Sequence, residues 1–231
     1  GGEGAAQAVD LPPVKTRPVH SEALTNRLQA QRVIALQAEV MIRPNLALCL
    51  LVEQMLGDID WNRRSASGDT FDFSARSAHH ELTNTDPDIK DSAAWATVQE
   101  QIALVTKDIP EDDGAVLPWL LAQAQADVID MLAVLISATI YRHRSHAHGT
   151  ETGHLDRLSE IVGLDMSKWW QPTARSYLAH VSKERIAAVV TQATDAEQAQ
   201  PLLAMKKAQA AAAAEELLAG KGWVPELMRT Q

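Results

Sequence analysis

Along residues 22–42 the apolar side chains fall on two opposite stripes. Leu24, Leu28, Ala35 and Ile42 share one, and Val33, Leu36 and Val40 share the other. A helix patterned this way is buried on two sides, unlike a surface helix with one polar face. Ser21 is placed to cap it, and Glu22 sits where the helix dipole favours an anion. Pro44 suits the first turn of a second helix, which the pattern carries through Leu56 to Gly57. The two segments read as a helical hairpin. The periodicity then lapses: residues 57–92 are polar and turn-rich, and only TFDFSARS within them alternates. That allows at most one short strand or hairpin near 70–78. Helical spacing resumes over about 92–106 and again over about 114–141, with an interruption near Gln123–Gln125.

The C-terminal third predicts shorter elements. HLDRLSEIVG over 154–163 is a short helix closed by Gly163. Thr173 can cap a short helix carrying Tyr177 and Leu178. Ser182 can cap the next, where Ile186, Val189, Val190 and Ala193 share one face. Asp195 with Gln198 forms a capping-box pattern for a third. LLAMKKAQAAAAAEELLA, over 202–219, predicts one long helix from propensity alone, ended by Gly220. The tail KGWVPELMRTQ would bring Trp223 back onto these helices. The fold class that follows is all-α, a multi-helix bundle with a small C-terminal helical subdomain. The expected organisation is a flexible linker or tag-derived end at 1–20, a helical domain at 21–163 with a polar loop at 57–92, and a C-terminal helical subdomain at 164–231.

Composition supports helices over sheets. Apolar residues make up 46% of the chain but aromatics only 4%, with two Phe and two Tyr, so Ala and aliphatic side chains must fill the interior. The single cysteine, Cys49, lies in the apolar run LALCLLV and reads as a buried thiol in a reducing compartment. The longest apolar runs, at 46–52 and 131–140, fall short of the roughly 20 residues that span a bilayer. No targeting segment is expected from GGEGAAQAVDLPP, which lacks a basic n-region and an apolar h-region; the expected location is cytoplasmic, with no membrane partner.

The net charge of −9 argues against a chain that coats nucleic acid with its whole surface. The charge is uneven, however. Residues 168–231 carry 8 Lys and Arg against 6 Asp and Glu, whereas residues 1–167 carry 13 against 24. Phosphate contact, if made, belongs to the C-terminal part. There KWWQPTARSYLAHVSKERI places Trp169, Trp170 and Tyr177 among Arg175, Lys183 and Arg185. The aromatics, with Trp223, could stack on unpaired bases. With no continuous basic groove beside them, they read instead as the core of a small bundle.

Other candidate chemistry reads as loop. His143, His146, His148 and His154 are close in sequence, but their Gly- and Ser-containing setting lacks the fixed spacing of a metal site. Asp58, Asp60, Asp69 and Asp72 lack the calcium-loop pattern. Neither a metal site nor a cofactor is expected. With no phosphate loop, nucleophile elbow or paired-carboxylate motif, no catalytic residue is assigned and the chain is not expected to be an enzyme.

Several segments carry a resemblance: GLDM at Gly163–Met166, WWQPT at Trp169–Thr173, SYLAHVSK at Ser176–Lys183, Met205-Lys206-Lys207, and LLAGKGWVPELMR at Leu217–Arg229. They resemble the C-terminal region of ParB-like proteins, the partition and ParB-like nuclease proteins of plasmids and mobile elements. Upstream, LTNRLQAQRVIALQAEVMIRPNLALCLLVEQML resembles the helical pair that follows the helix-turn-helix in the same proteins. The likeness covers most of 23–57 and 111–229. It implies that this chain is the C-terminal region of a DNA-binding protein of plasmid partition or gene regulation, nucleoid- or plasmid-associated. Nucleotide-binding or nuclease activity in that family resides in an N-terminal domain, and no GERR-like phosphate motif occurs here; Arg63-Arg64 is the nearest pair.

Two functions stay open. The chain is an accessory DNA-binding and assembly module, touching phosphate through Arg175, Lys183, Arg185, Lys206 and Lys207. Alternatively it is a purely structural scaffold that dimerises the parent protein or docks a partner such as a partition ATPase, with no DNA contact. Small side chains on the Ala-rich helix would allow close approach of a second helix in a homodimer.

Overall fold

The computed structural model of the chain describes residues 19–48, 50, 51, 76–141 and 153–229. The helices are α1 (Glu22–Met41), α2 (over 44–48, 50 and 51), α3 (His79–Thr85), α4 (Ala93–Thr106), α5 (Asp113–Ala122), α6 (Gln125–Ala138), α7 (Gly153–Val162), α8 (Lys183–Ala193), α9 (Ala196–Ala204) and α10 (Lys207–Leu218). Single 3-10 turns lie at Pro87–Asp91, Met166–Lys168, Leu178–His180 and Glu226–Met228. No strand occurs among the described residues. The fold is all-α. Residues 70–75, where a short strand was allowed, lie outside the described part, as do Cys49, residues 1–18 and the histidine-rich stretch 143–148.

Helix α1 is the centre of the bundle. It packs against α4 and α6, and also meets α3, α7 and the Glu226–Met228 turn. Ser21 Oγ accepts from the Leu24 amide at 3.2 Å, the cap expected from sequence. Burial goes beyond two stripes, however: every residue from Leu28 to Ala38 is buried. Three polar members of that run, Gln31, Arg32 and Gln37, find partners on other elements, while Gln29 Oε1 is buried without one. The Gln37 amide donates to Ile140 O at 2.9 Å. Gln31 donates to Asp86 at 2.7 Å. Arg32 donates to Ser159 Oγ at 2.9 Å and pairs with Asp156 at 2.5 Å.

Helices α8, α9 and α10 pack on one another, and their interior joins the α1 core in one buried cluster running from Leu24 to Met228. Ser182 caps α8 at the Arg185 amide, 3.2 Å away. Asp195 caps α9 at the Gln198 amide, 2.9 Å away. The Gln198 side chain reaches the Asp195 carboxylate at 2.9 Å, in place of the backbone amide of a standard capping box. Gly163 and Gly220 terminate α7 and α10 with φ of 63° and 69°, a left-handed conformation that a Cβ would strain.

Two expectations change. The polar segment 57–92 is helical where it is described: α3 and the turn at Pro87–Asp91 occupy residues 79–91, and Leu82 and Ile89 are buried. The long helix expected over 202–219 is two helices, broken at Met205 and Lys206, both extended. The Lys183 ammonium donates to Leu203 O at 2.8 Å and Met205 O at 3.2 Å. It thereby satisfies carbonyls that a continuous helix would have used.

Candidate nucleic-acid interface

The WWQPTARSYLAHVSKERI segment is held by its own turns. Asp165 Oδ1 accepts from the Ser167 amide at 3.1 Å and from its hydroxyl at 2.6 Å, which starts the Met166–Lys168 turn. The hydroxyl bond above all holds the Asp165 carboxyl below its ordinary value. Further on, Thr173 Oγ1 accepts from the Ser176 amide at 3.0 Å, and Ser176 Oγ accepts from the Thr173 amide at 2.8 Å. Thr173 therefore caps a tight turn followed by the 3-10 turn at Leu178–His180, where the sequence predicted a short α-helix. The Ala174 amide donates to Glu215 of α10 at 2.6 Å, tying the segment to the C-terminal helices.

These turns deliver the aromatics inward. Tyr177 is 0% exposed, and Trp170 and Trp223 are buried. Trp170 meets Tyr177 edge-on with ring centroids 6.1 Å apart, and Trp223 lies 5.4 Å from it on another side. The Trp223 indole donates to Gln192 at 3.0 Å. Trp169 is half-buried, with its indole donating to Glu39 of α1 at 3.2 Å. Tyr177 and Trp223, enclosed by these contacts, have no free face for a base. The Tyr177 hydroxyl accepts from Arg185 Nε at 3.2 Å and lies 2.8 Å from His20 Nε2. Burial, then Arg185, push the His20 imidazole below its ordinary value. A neutral imidazole therefore accepts from the Tyr177 hydroxyl, whose own ionisation burial pushes up.

Among the five cations considered for phosphate contact, three have partners within the chain. Arg175 donates to Asp88 and, at 3.3 Å, to Asp91. Arg185 bonds Tyr177 and pairs with Glu226 at 2.8 Å. Lys183 holds the carbonyls at the end of α9. Lys206 and Lys207 are different. Both are exposed at the start of α10, where Lys206 occupies the N-cap position and gives no side-chain cap. The first-turn amides of a helix have no intrahelical partner, and its N-terminal end favours an anion.

Arg175 belongs to a longer ion-pair chain. Gln31 and Arg27 of α1 hold Asp86, Arg27 also holds Asp88 at 2.7 Å, and Arg175 closes onto Asp88 and Asp91. A groove of ≈ 410 Å³ runs beside this chain, walled by Trp169 and Trp170. Its three carboxylates balance two guanidiniums and the Lys168 ammonium, so it presents no basic track. Sequence reasoning passed over Asp86, Asp88 and Asp91 as loop. A local signal was present: Asp86 before Pro87 is a cap followed by a proline in the first turn, and Asp86 does accept from the Asp88 amide at 3.3 Å.

Among the described residues no group of three or more His, Cys, Asp or Glu is placed to hold a metal ion. Among them, too, no helix is long and apolar enough to cross a membrane.

The chain is similar to uncharacterized protein YubM of Escherichia coli strain K12, 27% identical over 206 residues that are 89% of this chain and 31% of the relative. It is likewise similar to YubM of Escherichia coli O157:H7, 25% identical over the same shares. The chain thus spans about a third of the length of the curated relatives it matches, at 31% of each. No family model matches it, and no solved structure matches it.

Proposed function

We propose that this chain is the accessory DNA-binding and assembly module of a longer ParB-like DNA-binding protein, acting in plasmid partition or gene regulation. Its own contact with DNA is a weak phosphate contact, made by Lys206 and Lys207. One observation carries the DNA half of this function: these two cations are exposed, unpaired and set at an uncapped helix start. Arg175, Lys183 and Arg185, by contrast, are engaged inside the fold. Contacts of this kind read charge and not base sequence, and salt weakens them. Likeness of the C-terminal motifs to ParB-like proteins supports the assignment of the parent protein. The internal pairing of three candidate cations favours the second function, a helical scaffold with no DNA contact.

One experiment separates the two. Binding to a fluorescent duplex is measured by anisotropy across a salt series, for the chain and for the double variant Lys206→Ala, Lys207→Ala. The module function expects salt-dependent binding that the double variant loses. No binding at low salt leaves the scaffold, and binding unchanged by the substitution removes Lys206 and Lys207 from the contact.

A further inference from the structure

Helix α5 is apolar almost throughout, AVLPWLLA following its first two residues, yet none of residues 114–122 is buried. It takes part in no major helix–helix packing of the bundle. Leu117 is 65% exposed and Leu121 is 79% exposed. They lie one turn apart, on the same stripe as Gly114 and Pro118. Leu104 at the end of α4 and Leu135 on α6 add exposed apolar surface, at 54% and 55%. Helix α6 is anchored to the core by its C-terminal half, through Ala133, Val134, Ile136 and Ser137. Residues 125–127 and 130 at its start are exposed. A ten-residue helix whose inner face, Ala115, Val116, Trp119 and Leu120, is only half-buried is marginal by itself, since isolated helices below about 12–15 residues barely form in water. Apolar residues left outside in this concentration mark an interaction surface.

Charge decides what covers it. Residues 108–141 hold six carboxylates and no Lys or Arg. Asp108, Glu111, Asp127 and Asp130 are exposed, and Asp112 is spent in part as the cap of α5, at the Gly114 amide 3.1 Å away. A second copy docked face to face would set one acidic rim against another. An anionic lipid surface or a nucleic acid would be repelled in the same way. Lys107, beside Asp108 at 3.8 Å, is the one cation at its edge, and an apolar stripe rimmed by this excess of carboxylates complements a helix with apolar residues on one face and Lys or Arg flanking them.

We infer that the α5–α6 hairpin is a docking surface for a basic amphipathic helix of a partner protein, Leu117 and Leu121 supplying the apolar contact and Asp127 and Asp130 the charge. This surface serves the assembly half of the function proposed above. It stands apart from phosphate contact at α10.

The test uses the 231-residue chain and two synthetic peptides of about 18 residues, each with Leu at helical spacing, one carrying Lys elsewhere and the other Glu. The Lys peptide binds and the Glu peptide does not. Leu117→Ser with Leu121→Ser weakens binding at least about tenfold while the circular dichroism of the bundle is kept, as exposed positions allow. Asp127→Asn with Asp130→Asn weakens it and flattens its salt dependence. Lys206→Ala with Lys207→Ala leaves it unchanged, so failure of the DNA function and failure of this surface are read separately. Equal binding of both peptides, or binding unaffected by the leucine pair, overturns the inference. So does concentration-dependent self-association that the leucine pair abolishes, since a second copy would then be the occupant.

Discussion

Replacing Tyr177 with Phe removes one oxygen from the middle of the C-terminal core. That oxygen accepts from Arg185 Nε at 3.2 Å and meets His20 Nε2 at 2.8 Å. Hydrogen bonds to charged groups contribute about 1.5–3 kcal/mol. Arg185 keeps Glu226 at 2.8 Å, so the lower part of that range applies, and a loss of about 1–2 kcal/mol is expected. For a chain of this size that is a fall in Tm of about 2–8 °C. Tyr177→Ala also removes a fully buried ring in contact with Trp170 and Trp223, and should cost about 3–5 kcal/mol. Urea unfolding of both variants supplies the energies. A double-mutant cycle with Arg185→Met isolates the hydroxyl–guanidinium contact, with an expected coupling of about 0.5–2 kcal/mol. A Phe variant within about 0.5 kcal/mol of the parent, together with zero coupling, would refute this account of the core.

The buried Arg32 gives an asymmetric expectation: Asp156→Ala leaves a guanidinium that is 3% exposed with Ser159 Oγ as its remaining partner and should cost about 1–3 kcal/mol, whereas Arg32→Met, which removes the buried charge itself, costs less in the same urea assay. Burial holds His20 and His79 below their ordinary value, so the unfolded chain takes up protons first as pH falls below about 6.5. Stability should be full above that pH and decline toward pH 5.5, by at most about 1.4 kcal/mol per pH unit for each histidine, in denaturant titrations at stepped pH; the pair His20→Gln and His79→Gln should flatten the decline. Lys183→Met releases Leu203 O and Met205 O and should cost about 1 kcal/mol, with faster amide exchange concentrated at the α9–α10 junction.

Features set by neighbours in sequence were readable. Ser21, Ser182 and Asp195 cap because the amide they accept from is three residues away, and the break at Gln123 falls between two helical periods. Features set by distant partners were not. Complete burial of α1 depends on Asp86, Ile140 and Ser159, which lie 55 to 127 residues from the α1 side chains they receive. The break at Met205 follows from a lysine 20 to 22 residues upstream, against a local sequence whose propensity favours continuity. Tertiary contact overrode propensity there, and period-reading had no access to it. The exposed hairpin was hidden for the opposite reason. α5 and α6 have the periodicity and apolarity of core helices, and only packing shows that α5 found no core to join.

Charge was the least legible property, because a cation counts toward nucleic-acid binding only if its counter-charge is mobile. Binding entropy comes from released counterions, and a guanidinium already seated on Asp88 or Glu226 has none to release. In the C-terminal segment Lys206, Lys207, Lys221 and Arg229 are exposed with no ion pair among the described residues, Arg229 donating to Val224 O at 3.1 Å, and Lys168 is 74% exposed at 3.9 Å from Asp165. Lys206 and Lys207 start α10 and Lys221 follows its end, and a helix of 12 residues separates its ends by about 18 Å. A duplex touching the start of α10 therefore meets two lysines, and log K against log salt should have a slope near −1.8 for two phosphates. A slope several times steeper would mean that Arg175 or Arg185 leaves its carboxylate to join the interface. Two neutralised phosphates give too little binding to hold DNA firmly at physiological salt, so the proposed module function requires DNA contacts beyond Lys206 and Lys207.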